Sequence, residues 1–181
     1  MIIFFGPAGA GKSVQGQMLA ARMDWKWLST GQMFRDSSDK EVQEILKTGE
    51  LVSDEKTYAV VREAFSKVKN IERLIVDGFP RTMDQAEWLM DEENAHGRKV
   101  AMVVVLEVPE SMIQERLSLR GRDQDKPEII ARRMNIYRRQ MYPVLGYFAD
   151  RGIKIIHLDG TGTVGEVHDK IVAEIEHNKL A

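Results

Sequence analysis

The chain opens Met1-Ile-Ile-Phe-Phe5, continues Gly6-Pro-Ala-Gly-Ala-Gly11-Lys12-Ser13, and runs on as Val14-Gln-Gly-Gln-Met-Leu-Ala-Ala-Arg-Met23. The first five residues are an apolar run of strand length, and Lys12–Met23 carries a helical pattern. Between them, residues 6–13 match G-x-x-x-x-G-K-[ST] in the strand-to-helix setting that this pattern requires. The glycines let successive backbone N–H groups turn inward around a phosphate. The N-terminus of the following helix adds positive potential there. Gly9, Ala10, Gly11, Lys12, Ser13 and Val14 are therefore candidate triphosphate contacts. Lys12 is placed to reach the β- and γ-phosphates, and Ser13 to offer a hydroxyl to Mg²⁺. A glycine-rich turn that merely contains a lysine accounts poorly for a full match in this context. The expected ligand is a nucleoside triphosphate with magnesium.

The same strand–helix rhythm continues outward. Short apolar runs at Met1–Phe5, Trp25–Leu28, Arg73–Asp77, Val100–Val108 and Ile153–Leu158 read as five strands. They lack polar alternation, which indicates strands covered on both faces. Helical patterns at Lys12–Met23, Ser53–Lys69, Thr82–Glu92, Glu110–Arg120, Pro127–Ala149 and Val164–Lys179 separate them. Ser53, Thr82 and Thr163 are candidate N-caps, Gly121 a helix end, and Pro127 a helix start. Pro143 is expected to kink or end its helix early. Trp25 and Trp27 are expected on opposite faces of the second strand, and the histidines at the surface or at strand ends. The expected class is α/β, with five parallel strands and helices on both faces. Ligands in such sheets sit beyond the carboxyl ends of the strands. Residues 29–52 and 120–127 break the rhythm and are candidate substrate-covering pieces of a single domain, 1–181. Its core is then 1–28, 53–119 and 128–181.

Composition narrows the function classes. The chain has 181 residues, 26 basic and 28 acidic, and no cysteine. The near-neutral balance argues against a nucleic-acid coat. Without cysteine there is no disulfide, thiolate catalysis or Cys-held structural zinc, and a reducing cytoplasm is the expected compartment. No apolar run is long enough for a membrane span, and the N-terminal stretch lacks a basic leader. Charge is nevertheless uneven. Residues 116–139 hold eight Lys or Arg against three Asp or Glu. That surplus suits phosphoryl transfer, where charge spreads over the transferred oxygens.

Three further segments identify the acceptor. Ser29-Thr30-Gly31-Gln32-Met33-Phe34-Arg35 follows the second strand, Gly49-Glu50-Leu51-Val52-Ser53-Asp54 precedes a helix, and Asp77-Gly78-Phe79-Pro80-Arg81-Thr82 with Gln85 follows the third. With the phosphate loop they resemble the adenylate kinases, within the nucleoside monophosphate kinases of P-loop NTPase fold. The resemblance spans residues 2 to about 175. It implies transfer of the γ-phosphoryl group of MgATP to AMP, giving two ADP.

By that resemblance Arg35 and Arg81 hold the AMP phosphate, an assignment that suits the planar arginine fork. Thr30 and Gln85 read the adenine edge. Gly31, Glu50, Leu51, Val52, Gly78, Phe79 and Pro80 line the AMP site. Arg116 and Arg120 face ATP, Arg122 and Arg133 reach both phosphate chains, and Gly162 passes the ATP base. Asp77 orients Mg²⁺, through water. Arg132 is a surface charge. Asp123 and Asp125 are similar to an acidic pair of the family, with Gln124 between them. Many members insert a lid of some tens of residues where only Gly121 separates Arg120 from Arg122, so this is a short-lid form. Closure is then expected from residues 30–52, hinged near Gly31 and Gly49. The rival readings are a UMP/CMP kinase of the same fold and a nucleotide-binding regulator without turnover. Oligomeric state stays open.

Overall fold

The computed structural model describes residues 1–97 and 99–180. Its sheet consists of β1 (Ile2–Phe5), β2 (Lys26–Ser29), β3 (Leu74–Asp77), β4 (Met102–Glu107) and β5 (Lys154–Asp159). The order is β2-β3-β1-β4-β5, and all neighbours run parallel. Helices α1 (Lys12–Met23), α4 (Asp54–Ser66), α5 (Met83–His96), α6 (Glu110–Arg120), α7 (Pro127–Asp150) and α8 (Val164–His177) alternate with the strands. Two short helices, α2 (Thr30–Asp36) and α3 (Lys40–Thr48), fill the segment after β2.

Strand register explains the apolar runs. Ile3, Phe5, Val76, Val103 and Val105 pack on one side with Phe65, Leu89, Val144 and Phe148. Ile2, Phe4, Ile75, Met102, Val104 and Leu106 pack on the other with Leu19, Ile171 and Ile175. Successive side chains point to opposite faces, so burial of both faces removes polar alternation. The same register sets Ser29 opposite Asp77, and Asp77 opposite Phe4. The loops after β1, β2 and β3 thus open at one edge of the sheet, where the ligand residues were expected.

The caps are as read. Thr163 and Glu166 form a reciprocal capping box, Ser53 caps α4, and Thr82 Oγ1 accepts from Gln85 N. Gly121 ends α6 at φ 64°, and Pro127 starts α7. Other expectations need correction. α7 runs through Pro143 without ending, because Val144, Leu145 and Phe148 beyond it are buried and hold the last turns down. Trp25 and Trp27 pack against the same core cluster; two residues apart on extended chain, they share a face. His168 is buried at 6% exposure, where α8 lies on α1, and its Nδ1 is 3.2 Å from Gln15 Oε1. Gly31 lies inside α2, where helical backbone leaves no hinge, whereas Gly49 (φ 80°) caps α3.

Packing between α1 and β2 yields a first prediction. A Cβ on Gly16 would lie 2.5 Å from Trp27 Cδ1 and 2.6 Å from its Nε1. Alanine ordinarily gains about 1 kcal/mol over glycine inside a helix. Here a rigid indole blocks the methyl, so Gly16→Ala should lose about 1–3 kcal/mol instead. The urea midpoint of the variant measures this, and an unchanged or higher midpoint would show that Trp27 yields.

Candidate active site

The phosphate loop leaves β1 at Gly6 and enters α1 at Lys12. Gly9 and Gly11 have φ of 87° and 97°, a region closed to most side chains. No side chain caps α1, so the N–H groups of its first turn stay available to an anion. Lys12 Nζ folds back to donate to Gly6 O at 2.7 Å and Pro7 O at 2.9 Å. Ser13 Oγ donates to Asp77 Oδ2 at 2.6 Å, and Asp77 is 3% exposed at the end of β3. One hydroxyl and one carboxylate beside a phosphate site fit Mg²⁺. This small cation keeps several waters and takes other ligands from phosphate oxygens.

Two clefts adjoin this loop. One is lined by Gly9, Ala10, Gly11, Ser13, Val14, Asp77, Arg116, Arg120, Arg122 and Gly162. The other lies under α2 and α3 and is lined by Thr30, Glu50, Leu51, Val52, Gly78, Pro80 and Gln85. Lys12, Gly31, Arg35, Arg81 and Arg133 line both. Four cations therefore form a common wall. Thr30 Oγ1 and Arg81 Nε both donate to Gly78 O, at 2.7 Å each. This fixes one side of the guanidinium and leaves the other free. A Cβ on Gly78 would lie 2.8 Å from Thr30 Oγ1 and 2.9 Å from Arg81 Nη2. Only glycine admits that approach.

Most of the expected site residues come together here. Phe79 does not. Its ring is 1% exposed in the core, edge-on to Trp88 at 5.8 Å, and lines neither cleft. Arg116 Nη2 donates to Gly160 O at 3.0 Å, tying α6 to the loop after β5. Arg132 is exposed as expected, and its Nη1 donates to Thr48 O at 3.1 Å, bridging α7 to the end of α3.

Of the two acids, Asp125 is the one that pairs with the arginines among the described residues. Asp125 lies in a tight turn, Asp123–Asp125, with its side chain 1% exposed. Arg120 reaches it through Nε at 2.8 Å and Nη2 at 2.5 Å, Arg122 N donates to it at 3.2 Å, and Arg133 Nη1 lies 3.7 Å away. Burial alone would raise this carboxyl. The arginines and the N–H outweigh burial and hold its pKa below the usual carboxylate value. The short loop is thus pinned across two arginines by one carboxylate. Ile136, Tyr137, Gln140 and Met141 also line the second cleft from α7. Nothing in their apolar and polar mixture distinguished them from an ordinary helix face.

The shared wall gathers more cations than counter-charges. Desolvation pushes Lys12 down to about 8, and Arg81, Arg133 and Arg120 add to this against Asp77. Arg133 falls to about 10, through burial first and then Arg81 and Arg120. Arg35 and Arg81 are lowered in the same direction by desolvation. Such a cluster awaits an anion. A bound triphosphate favours protonated Lys12 and raises its pKa. Binding should therefore take up protons where free Lys12 has begun to lose its own. Uptake is small at pH 7 and grows as pH rises through the free value of about 8, with affinity falling as pH rises. Calorimetry in buffers of different ionisation enthalpy measures this, and pH-independent proton release would contradict it.

A model of the adenylate kinase family matches residues 4–153. Adenylate kinase of Thermus thermophilus is 38% identical, covering 96% of both chains. That of Deinococcus deserti is 36% identical over 95% of this chain and 94% of its own. That of Syntrophomonas wolfei is 30% identical over 97% and 98%. With a family model over most of its length and relatives aligned nearly end to end, the chain belongs to the adenylate kinase family.

Proposed function

We infer that the two clefts divide one reaction between them. MgATP lies on the phosphate loop, AMP lies under α2 and α3, and the γ-phosphoryl group passes between them. The observation that carries this reading is the common wall of Lys12, Arg35, Arg81 and Arg133. Two nucleotides whose phosphates point at one cation cluster face each other there. An oxygen of the AMP phosphate attacks the γ-phosphorus, the bond to the β-phosphate bridge breaks, and two ADP result. Positioning and neutralised charge carry the step, and no general base is needed.

Lys12 and the α1 N-terminus hold the β- and γ-oxygens. Arg35 and Arg81 hold the acceptor phosphate. Arg120, Arg122 and Arg133 follow the charge as it redistributes, and exclusion of water protects ATP from hydrolysis. Ser13 and Asp77, the latter through water, would hold Mg²⁺, and the ion would neutralise phosphate charge during transfer. Thr30 Oγ1 gives its proton to Gly78 O, so the hydroxyl retains only acceptor capacity for an adenine amino group. Arg116 and Gly162 border the ATP side, Glu50–Val52 the adenosine of AMP. We assign the reaction to the cytoplasm, a compartment that holds both nucleotides. Among the described residues, no helix is long and apolar enough to cross a membrane.

Donor and acceptor should not be read equally well. The stretch between α6 and α7 is a single tight turn that covers little of the ATP base. Residues 29–52 instead lie over the acceptor and against α7, where a Cβ on Gly49 would meet Ile129 at 2.7 Å. Selection among AMP, GMP, CMP and UMP with ATP should therefore be strict. Selection among ATP, GTP, CTP and UTP with AMP should be looser. Both panels, followed as diphosphate formation, test this. A pyrimidine acceptor preferred over AMP, or no turnover with any acceptor, would overturn the functional reading. Strict ATP selectivity in a monomer would overturn the inference about the short loop.

A further inference from the structure

Gln85 lines the acceptor cleft and is 2% exposed, and both ends of its amide are tied. Its Oε1 accepts from the backbone N–H of Arg81 at 2.7 Å. Its Nε2 donates to Asp54 Oδ1 at 2.6 Å. Asp54 is the first residue of α4, directly after the Ser53 cap. It stands where the acceptor-covering segment rejoins the core.

An amide turned by half a rotation about its last bond exchanges donor for acceptor. The purine edge has two matching forms. A 6-amino purine shows a donor at C6 beside an acceptor at N1. A 6-oxo purine shows an acceptor at C6 beside a donor at N1. An untethered glutamine reads either form by turning. A tethered one reads only one form, because the other opposes donor to donor and acceptor to acceptor.

The two tethers here agree. The Arg81 N–H can only donate, and the Asp54 carboxylate can only accept. Reversal would set Nε2 against the Arg81 N–H and Oε1 against a carboxylate. The bond to the carboxylate is charge-assisted and the stronger of the two. After both bonds, Gln85 keeps one N–H and one lone pair for a ligand.

We propose that Asp54 is a positioning residue for purine choice. It fixes the Gln85 amide in the orientation that accepts a 6-amino purine monophosphate and rejects a 6-oxo purine monophosphate. The proposal rests on the reading that Gln85 faces the acceptor base.

The test compares kcat/KM for AMP and IMP, with ATP as donor, in wild type, Asp54→Ala, Asp54→Asn and Gln85→Ala. IMP is the probe because it differs from AMP only at the C6 and N1 edge. Asp54→Ala should shrink the AMP-to-IMP preference by about 10-fold or more. The change should come mainly from KM for the acceptor, with KM for ATP unchanged. Asp54→Asn, which keeps an acceptor oxygen, should retain an intermediate preference, and it carries the test if the alanine variant does not fold. Equal losses for AMP and IMP, or an unchanged preference, would overturn the proposal. Gln85→Ala separates the two levels. If it leaves the preference intact, Gln85 does not face the base and the underlying reading fails with the proposal. If it abolishes the preference while the Asp54 variants keep it, the reading stands and only the role of Asp54 fails.

Discussion

Lys12→Met should cut turnover by about 10²–10⁵-fold while the protein stays folded. Among the described residues the lysine hydrogen-bonds the carbonyls of Gly6 and Pro7 alone, and it lines both clefts. Methionine matches the length of its stem. In the free protein, the Lys12 charge is opposed by desolvation and by Arg81, Arg133 and Arg120, which is why its pKa sits near 8. Removing that charge relieves repulsion, so the melting temperature should hold or rise. The loss should instead fall on the reacting complex, where the γ-phosphoryl group crosses the shared wall and needs a fixed positive charge. Single-turnover rates with saturating ATP and AMP, set beside a thermal melt, separate the two effects. Near-normal turnover in a folded variant would remove Lys12 from the chemistry.

Arg81→Ala should weaken AMP binding by roughly 10²-fold and ATP binding much less, the scale expected for losing a bidentate charge-assisted contact. Arg81 borders both clefts, yet its guanidinium is fixed on the acceptor side. Nε is bonded to Gly78 O, and Nη2 lies against the space above Gly78 and Gly31. ATP keeps the loop N–H groups and Lys12 when Arg81 is gone. AMP loses one of its two dedicated phosphate contacts and keeps Arg35 beside the shared cations Lys12 and Arg133. Separate calorimetric titration of each nucleotide is the check. Equal losses would make Arg81 a joint contact of both phosphate chains rather than an acceptor contact.

Legibility from sequence followed locality. The strand, loop and helix of residues 1–23 are adjacent in the chain, and short-range glycine and helix chemistry fixes them. Likewise DGFPRT keeps Asp77, Gly78 and Arg81 at one strand end whatever surrounds them. Long-range packing was not legible. Pro143 looks like a helix stop until the burial of Phe148 is known. Phe79 looks like a cleft residue because its neighbours are, but its ring points into the core against Trp88. His168 looks like a surface residue until α8 is laid on α1. The Asp125 contacts depend on how α6 and α7 converge, and the Gln85–Asp54 pair joins residues 31 positions apart. The contribution of Tyr137 and Gln140 to the acceptor cleft likewise follows from where α7 passes, not from its pattern.

The central claim is that two nucleotide clefts meet at one set of cations. Diadenosine pentaphosphate, two adenosines joined through a linear phosphate chain, tests it most directly by titration calorimetry. The predicted result is one molecule bound per chain, displacing both ATP and AMP, with affinity lost in Lys12→Met and in Arg81→Ala alike. Two molecules bound per chain, or displacement of only one nucleotide, would contradict it.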